Sequence, residues 1–167
     1  MDILAVLFRW IHIGAAAYWL AAGFYQWQVM RAEASMEAAT WISYNRKLYA
    51  ASKLAIGMPI SVLLTTVAGV VLYGLAQYWN RGFGSFGSIL FHVGVLAGLA
   101  AFGHGIAVLS KSSKAIGQAL RSAGDNPSKE QIATVQAAVD NHLKLQPLHY
   151  ALVAAAFLLM IAGASIP

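Results

Sequence analysis

The sequence predicts an all-α integral membrane protein: a bundle of four transmembrane helices, both termini outside the cytoplasm, with a cytoplasmic helical hairpin between the third and fourth helices. Three observations carry that expectation. Of 167 residues, 59% are hydrophobic and only 10% charged, against about 25% charged in a soluble domain. The charges gather in two segments, 31–53 and 111–144, and the stretches between are almost free of them. Four of those stretches reach the ~20 mostly apolar residues that a helix needs to cross a bilayer. Within a membrane each backbone group must be satisfied inside its own segment, so the spans are helical.

The first span covers about 3–29. Its apolar run begins behind Asp2 with no preceding Lys or Arg, and it is longer than the ~7–15 residues of a signal-peptide core, so it reads as a retained helix. The second span covers about 54–77 and carries Pro59 in its first turns. The third covers about 88–110 and the fourth about 147–166, which Pro147 is expected to open, where a missing N–H costs little. The chain is read as one domain.

Orientation follows from the loops. Segment 30–53 holds Arg31, Arg46, Lys47 and Lys53, and segment 111–146 holds Lys111, Lys114, Arg121, Lys129 and Lys144; segment 78–87 has Arg81 alone. Basic loops stay in the cytoplasm, which places the other loop and both termini in the periplasm of a bacterial inner membrane. Tyr25, Trp27, Trp41, Tyr44, Tyr78 and Trp79 are expected as interfacial anchors. The third helix is expected to continue to about Ala123, followed by a turn at Gly124-Asp125-Asn126-Pro127. A new helix should start at Ser128, with Gln131 three residues on as a capping box. Ile132, Val135, Val139 and Leu143 give it an apolar stripe. This hairpin either projects from the membrane or lies flat on its surface.

Several classes are excluded or disfavoured. The chain has no cysteine, which removes disulfides, thiolate metal sites and covalent c-type haem. The net charge of +5 comes from residues flanking spans, so no nucleic-acid partner is expected. No Asp, Glu or Lys lies near mid-span, which disfavours pumps, channels and transporters. Gly94 and Gly98 form a GxxxG step that suits close helix packing, or room for a flat cofactor.

The spans do contain histidine: His12, His92, His104 and His149, with His142 assigned to a solvated loop. At 1.5 Å per residue, His92 lies about 6 Å inside the outer boundary and His104 about 18 Å below it. The histidines therefore fall on two levels, His12 with His92 and His104 with His149. Imidazoles facing each other across a bundle are a common way to hold haem iron, and His12, His92 and His104 are the iron-ligand candidates. Arg9, one turn before His12, suits a propionate. His92 and His104 are twelve residues apart, so their faces differ by about 120°, which argues for one haem or for a bent helix. The aromatic band Tyr18, Trp19, Tyr25 and Trp27 serves either as a lipid-facing surface or as a wall for a porphyrin or quinone ring.

The opening LFRWIHIGAAAYWLAAGFY, through Arg9, Trp10, His12, Trp19 and Gly23, resembles the first helix of small bacterial membrane proteins of the copper resistance protein D-like and HemJ-like group. The second helix, KLAIGMPISVLLTTVAGVVLY, is similar to the group's proline-containing helix. The resemblance implies a four-helix haem-b scaffold with His12 as a ligand. The expected function is haem-b electron transfer, alone or as a subunit of a larger redox complex, with quinone as a further cofactor and no enzymatic activity of its own. The alternatives are a cofactor-free accessory subunit and a porphyrin-oxidising enzyme. Partners are then the lipid bilayer, other membrane redox subunits and a second copy of the chain.

Overall fold

The computed structural model describes residues 3–31, 36–51 and 54–166, with the backbone alone over 48–51, 54–56 and 81. Asp2 and Lys53 lie outside the described residues. Six α-helices follow one another: α1 (Ile3–Arg31), α2 (Ala38–Ala51), α3 (Leu54–Leu75), α4 (Phe86–His104), α5 (Ser110–Ala123) and α6 (Lys129–Ser165). A short 3₁₀ turn, Tyr78–Arg81, links α3 to α4. Four helical stretches are long and apolar enough to cross a membrane: Ile3–Arg31, Gly57–Leu75, Phe86–Ala123 and Lys129–Ser165.

The bundle is built from two tightly packed pairs, α1 with α3 and α4 with α6. Weaker contacts join α3 to α4 and α1 to α6, so the order around the bundle is α1, α3, α4, α6, and α1 faces α4 diagonally. Glycine explains why α4 and α6 are so close. A Cβ on Gly163 would lie 2.6 Å from the carbonyl oxygen of Gly87, and one on Gly94 would lie 2.8 Å from the backbone nitrogen of Met160. Only hydrogen at these positions lets the two backbones meet. Gly94 of the GxxxG step is thus spent on packing within the chain. The outward faces are mostly apolar: Leu7, Ile13, Leu63, Val67, Val70, Leu96, Phe157 and Leu158 are all exposed. In water such a surface would be a liability; against lipid tails it is the expected one.

The third and fourth long helices overshoot any bilayer. Phe86–Ala123 runs for 38 residues and Lys129–Ser165 for 37. Each is therefore about 55 Å long, nearly twice the ~30 Å hydrocarbon thickness. Their far ends pair as an antiparallel hairpin, α5 against the first half of α6, and α2 packs on it. A second core forms there from Met30, Trp41, Ile42, Ile116, Leu120, Val135 and Val139, with Ile132 and Leu143 packed beside it. The expected apolar stripe is thereby used against other helices. Its turn carries Gly124 at φ 68°, a left-handed conformation that favours glycine. The capping box of Ser128 and Gln131 is formed in both directions.

Three expectations need correction. Pro147 lies inside α6, which runs unbroken from Lys129, because packing against α5 on one side and α4 on the other holds both halves in line. Segment 30–53 is not all loop: residues 38–51 form α2. Its first turn is capped by the Glu37 carboxylate, which accepts from the Thr40 backbone at 2.9 Å and that of Ala39 at 3.2 Å. The Thr40 hydroxyl and these amides hold the Glu37 carboxyl below its ordinary range. Trp41 is not an exposed anchor but is buried, with its indole N–H donating to the carbonyl of Val29 at 3.3 Å.

Candidate functional site

The four span histidines behave as two different pairs. His12, on α1, lies against α3: its Nδ1 is 2.7 Å from the carbonyl oxygen of Thr65, and a Cβ on Gly69 would come within 3.0 Å of its ring. His92, on α4, has Nδ1 2.6 Å from the carbonyl oxygen of Ser88. A carbonyl oxygen only accepts, so both Nδ1 atoms carry the hydrogen. In each neutral ring Nε2 is then the nitrogen with the lone pair. Tyr73 and Phe83 flank His92 with ring centroids at 5.8 and 4.8 Å. Thr65, Gly69 and Tyr73 fall on one face of α3 at four-residue spacing, so both histidines meet the same stripe of that helix. They sit on diagonally opposed helices, α1 and α4, with no direct contact between their rings among those described.

His104 and His149 are brought together directly, with ring centroids 5.7 Å apart and planes inclined by 27°. They sit on neighbouring helices, α4 and α6. Among the described residues neither Nδ1 has a hydrogen-bond partner, although both are buried. The 120° offset between His92 and His104 stands, because α4 is an uninterrupted α-helix from Phe86 to His104: one faces Tyr73 on α3 and the other His149 on α6. Immediately after His104 the backbone makes a π-helical turn, Gly105–Leu109. Such a turn inserts one residue into the helical register and is frequent at functional sites.

That turn forms one wall of a cavity of about 350 Å³ between the two helix pairs, within the ~300–1,000 Å³ range of small-molecule sites. Trp19, Met58, Val62, Phe102 and Leu109 supply apolar walls. Along α6 runs a polar row, His142, Gln146 and His149, spaced so that all three share one face. They are 3%, 3% and 5% exposed. His142 is thus buried in a helix, correcting the solvated-loop expectation, and its Nδ1 is 2.7 Å from the Ser112 hydroxyl. Gln146 Oε1, like His149 Nδ1, has no partner among the described residues. A buried polar atom left unpaired costs about 1–3 kcal/mol, so two on one cavity wall mark a surface shaped for something other than its own packing. Trp19 leans on His149 at 5.4 Å, and the Tyr150 hydroxyl donates to the Gly23 carbonyl at 2.6 Å. These contacts close the α1–α6 seam beside the cavity.

The chain matches no protein-family model, no curated protein and no solved structure. The site therefore has to be read from its own geometry. Arg9 is exposed on α1, one turn from His12. Gly105 lies 3.4 Å, measured from a built Cβ, from the His149 ring, whereas Gly103 has nothing within 4 Å, so only one of the two glycines beside His104 makes room inside the bundle. Among the described residues no three His, Cys, Asp or Glu side chains converge; the histidines form pairs. Gln146 was missed in sequence. The signal was its place between His142 and His149 at helical spacing, visible only once α6 is read as one helix through Pro147.

Proposed function

We propose that the chain is a membrane haem-b protein that carries electrons, with His12 and His92 as the residues that would hold the haem iron. The observation that supports this most is the anchoring of both Nδ1 atoms by main-chain carbonyls. Ligating imidazoles almost always fix their second nitrogen in this way, which sets the tautomer and aims the bare nitrogen at the metal. His104 and His149 lack that anchor and sit on adjacent helices; His12 and His92 have it and sit on diagonal ones, as ligands spanning a bundle core do. Haem b, when bound, supplies one-electron exchange between ferric and ferrous iron. The protein's part would be to hold the iron through the two imidazoles, to flank His92 with Tyr73 and Phe83, and to offer Arg9 as the cation for a propionate. The resemblance of the first helix to the copper resistance protein D-like and HemJ-like group points the same way.

The basic residues of 30–53 and 111–146 orient the chain with α2, α5 and the first half of α6 on the cytoplasmic side. The Ile3 end of α1 and the Ser165 end of α6 then face the periplasm of a bacterial inner membrane. A cofactor-free accessory subunit is the second reading, but Gly94, a glycine it would use to dock on a partner, is spent on the α4–α6 contact. The deciding experiment is a reduced-minus-oxidised spectrum of haem-replete protein in mild detergent. A b-type α-band should be present, abolished by His12→Ala and by His92→Ala, and kept by His149→Ala. A flat spectrum from folded protein, or loss of the band only in His149→Ala, overturns the assignment.

A further inference from the structure

We infer that the cavity between the two helix pairs is a binding site for the headgroup of a membrane quinone, held by Gln146 and His149. The inference concerns a site separate from His12 and His92. Three features define the occupant. The first is the pair of unpartnered atoms, Gln146 Oε1 and His149 Nδ1. They stand three residues apart on one face of α6, which puts their side chains about 5–6 Å apart at the root, close to the width of a six-membered ring with an oxygen at each end. Such a ring accepts hydrogen bonds as the quinone and donates them as the hydroquinone. An amide and an imidazole can answer both forms, since each carries donor and acceptor capacity.

The second feature is the walls. Trp19 and Phe102 face the cavity with Met58 and Val62, while Asn45, Ser110 and Ser113 also line it, so the walls are mainly apolar with flat side chains beside the polar row. A flat, largely apolar ring with polar edges fits it; a sugar or a nucleotide, with many hydroxyls or phosphates, does not. The third feature is the entrance. The α1–α6 seam is closed by Tyr150 and Gly23, while on the α3–α4 side the cavity rim is Leu63 and Ile106, 52% and 55% exposed. These side chains lie on the outward faces of helices suited to lipid, so the ligand enters from the bilayer and an isoprenoid tail has an apolar exit. His142, hydrogen-bonded to Ser112 at the far end of the polar row, links the headgroup site to the hairpin.

The test uses the full chain in nanodiscs of defined phospholipid that contain no quinone, titrated with decylubiquinone and followed by tryptophan fluorescence. Saturable quenching is expected, at least tenfold weaker in Gln146→Leu, and unchanged in Gln136→Leu, an exposed control on the same helix. Trp19→Phe should remove most of the saturable component. Gln146→Asn, which draws the amide back by one methylene, is the second variant if Gln146→Leu does not fold, and it too should weaken binding. Quenching that rises linearly with added quinone reports partition into lipid and overturns the site. So does an identical curve in the Gln146 variants, or displacement of the quinone by dodecane at matched concentration, which reports apolar filling alone. Loss of the haem reading leaves this titration intact, because it follows neither haem nor its ligands.

Discussion

Replacing Gly163 by alanine puts a methyl group where two backbones touch. The new Cβ would lie 2.6 Å from Gly87 O and 2.7 Å from Phe91 Cα, and closer still to Phe91 N, while ordinary contact begins at 3.4 Å. All three obstacles are main chain, so no side chain can swing aside and α4 must retreat by about 1 Å to clear the closest of them. Overpacking costs about 1–3 kcal/mol where side chains can adjust; a backbone obstacle belongs at the upper end. Against that stands a gain of about 1 kcal/mol from exchanging glycine for alanine in a helix. The clash wins by about 2 kcal/mol, which at ~2–4 °C per kcal/mol for a chain of this size lowers the unfolding midpoint by about 4–8 °C. Gly103→Ala is the internal control: nothing lies within 4 Å of its Cβ, so only the propensity gain remains and the midpoint rises by about 2–4 °C. Thermal unfolding of both variants in one detergent, followed by intrinsic fluorescence, reads the comparison. Equal shifts in the two variants, or a Gly163→Ala midpoint at or above the wild type, would refute the packing argument.

Other perturbations probe the remaining parts. Trp41→Ala empties the core beneath α2 and removes the indole bond to Val29 O, so a loss of about 3–5 kcal/mol is expected, read as early proteolysis within 36–51 while the membrane helices stay protected. The Glu37 cap makes the start of α2 pH-dependent. Its carboxyl is held below the ordinary 4.5, so the cap's contribution is complete above that value and is lost as pH falls through the lowered one. Amide exchange at Ala39 and Thr40 should therefore quicken at acid pH, and Glu37→Gln should abolish that pH dependence; persistence of the dependence in the variant would count against the cap. Because the chain has no cysteine, Ser122→Cys and Gly84→Cys can each be labelled alone. A membrane-impermeant maleimide applied from the periplasm should reach Gly84→Cys only, and the reverse pattern would invert the orientation.

The four helices long and apolar enough to cross a membrane were legible in sequence because length and hydropathy alone specify them; the observed ends of α1 and α3 fall within two residues of expectation. The hairpin was legible for a different reason, local turn chemistry: Gly124, Pro127 and the Ser128–Gln131 box are signals that need no tertiary context. What escaped was decided by packing. Residues 38–51 mix Trp41, Ile42, Asn45 and Arg46 with a weak helical pattern, and they form α2 because the hairpin offers them a surface to bury. Pro147 is a start signal in sequence, and the helix on both sides of it is fixed only by α4 and α5. The histidines were legible as two levels, but the distinction between anchored and unanchored rings depends on which carbonyl or empty space each nitrogen meets. Sequence carries no trace of that distinction for His149.

The unbroken course of α6 has a mechanical consequence. Gly163 clamps one end of the helix against α4, and Lys129 stands 34 residues away, a lever arm of about 51 Å. A rocking of about 5° around the clamp carries the Lys129 end through roughly 4 Å, with Gln146 and His149 moving by less in proportion to their distance from the pivot. Any such tilt would be largest at the hairpin, where Arg46 and Asp125 join α2 to the turn. The length of the helix thus ties a small tilt at its glycine contact with α4 to a several-fold larger displacement at the Lys129 end.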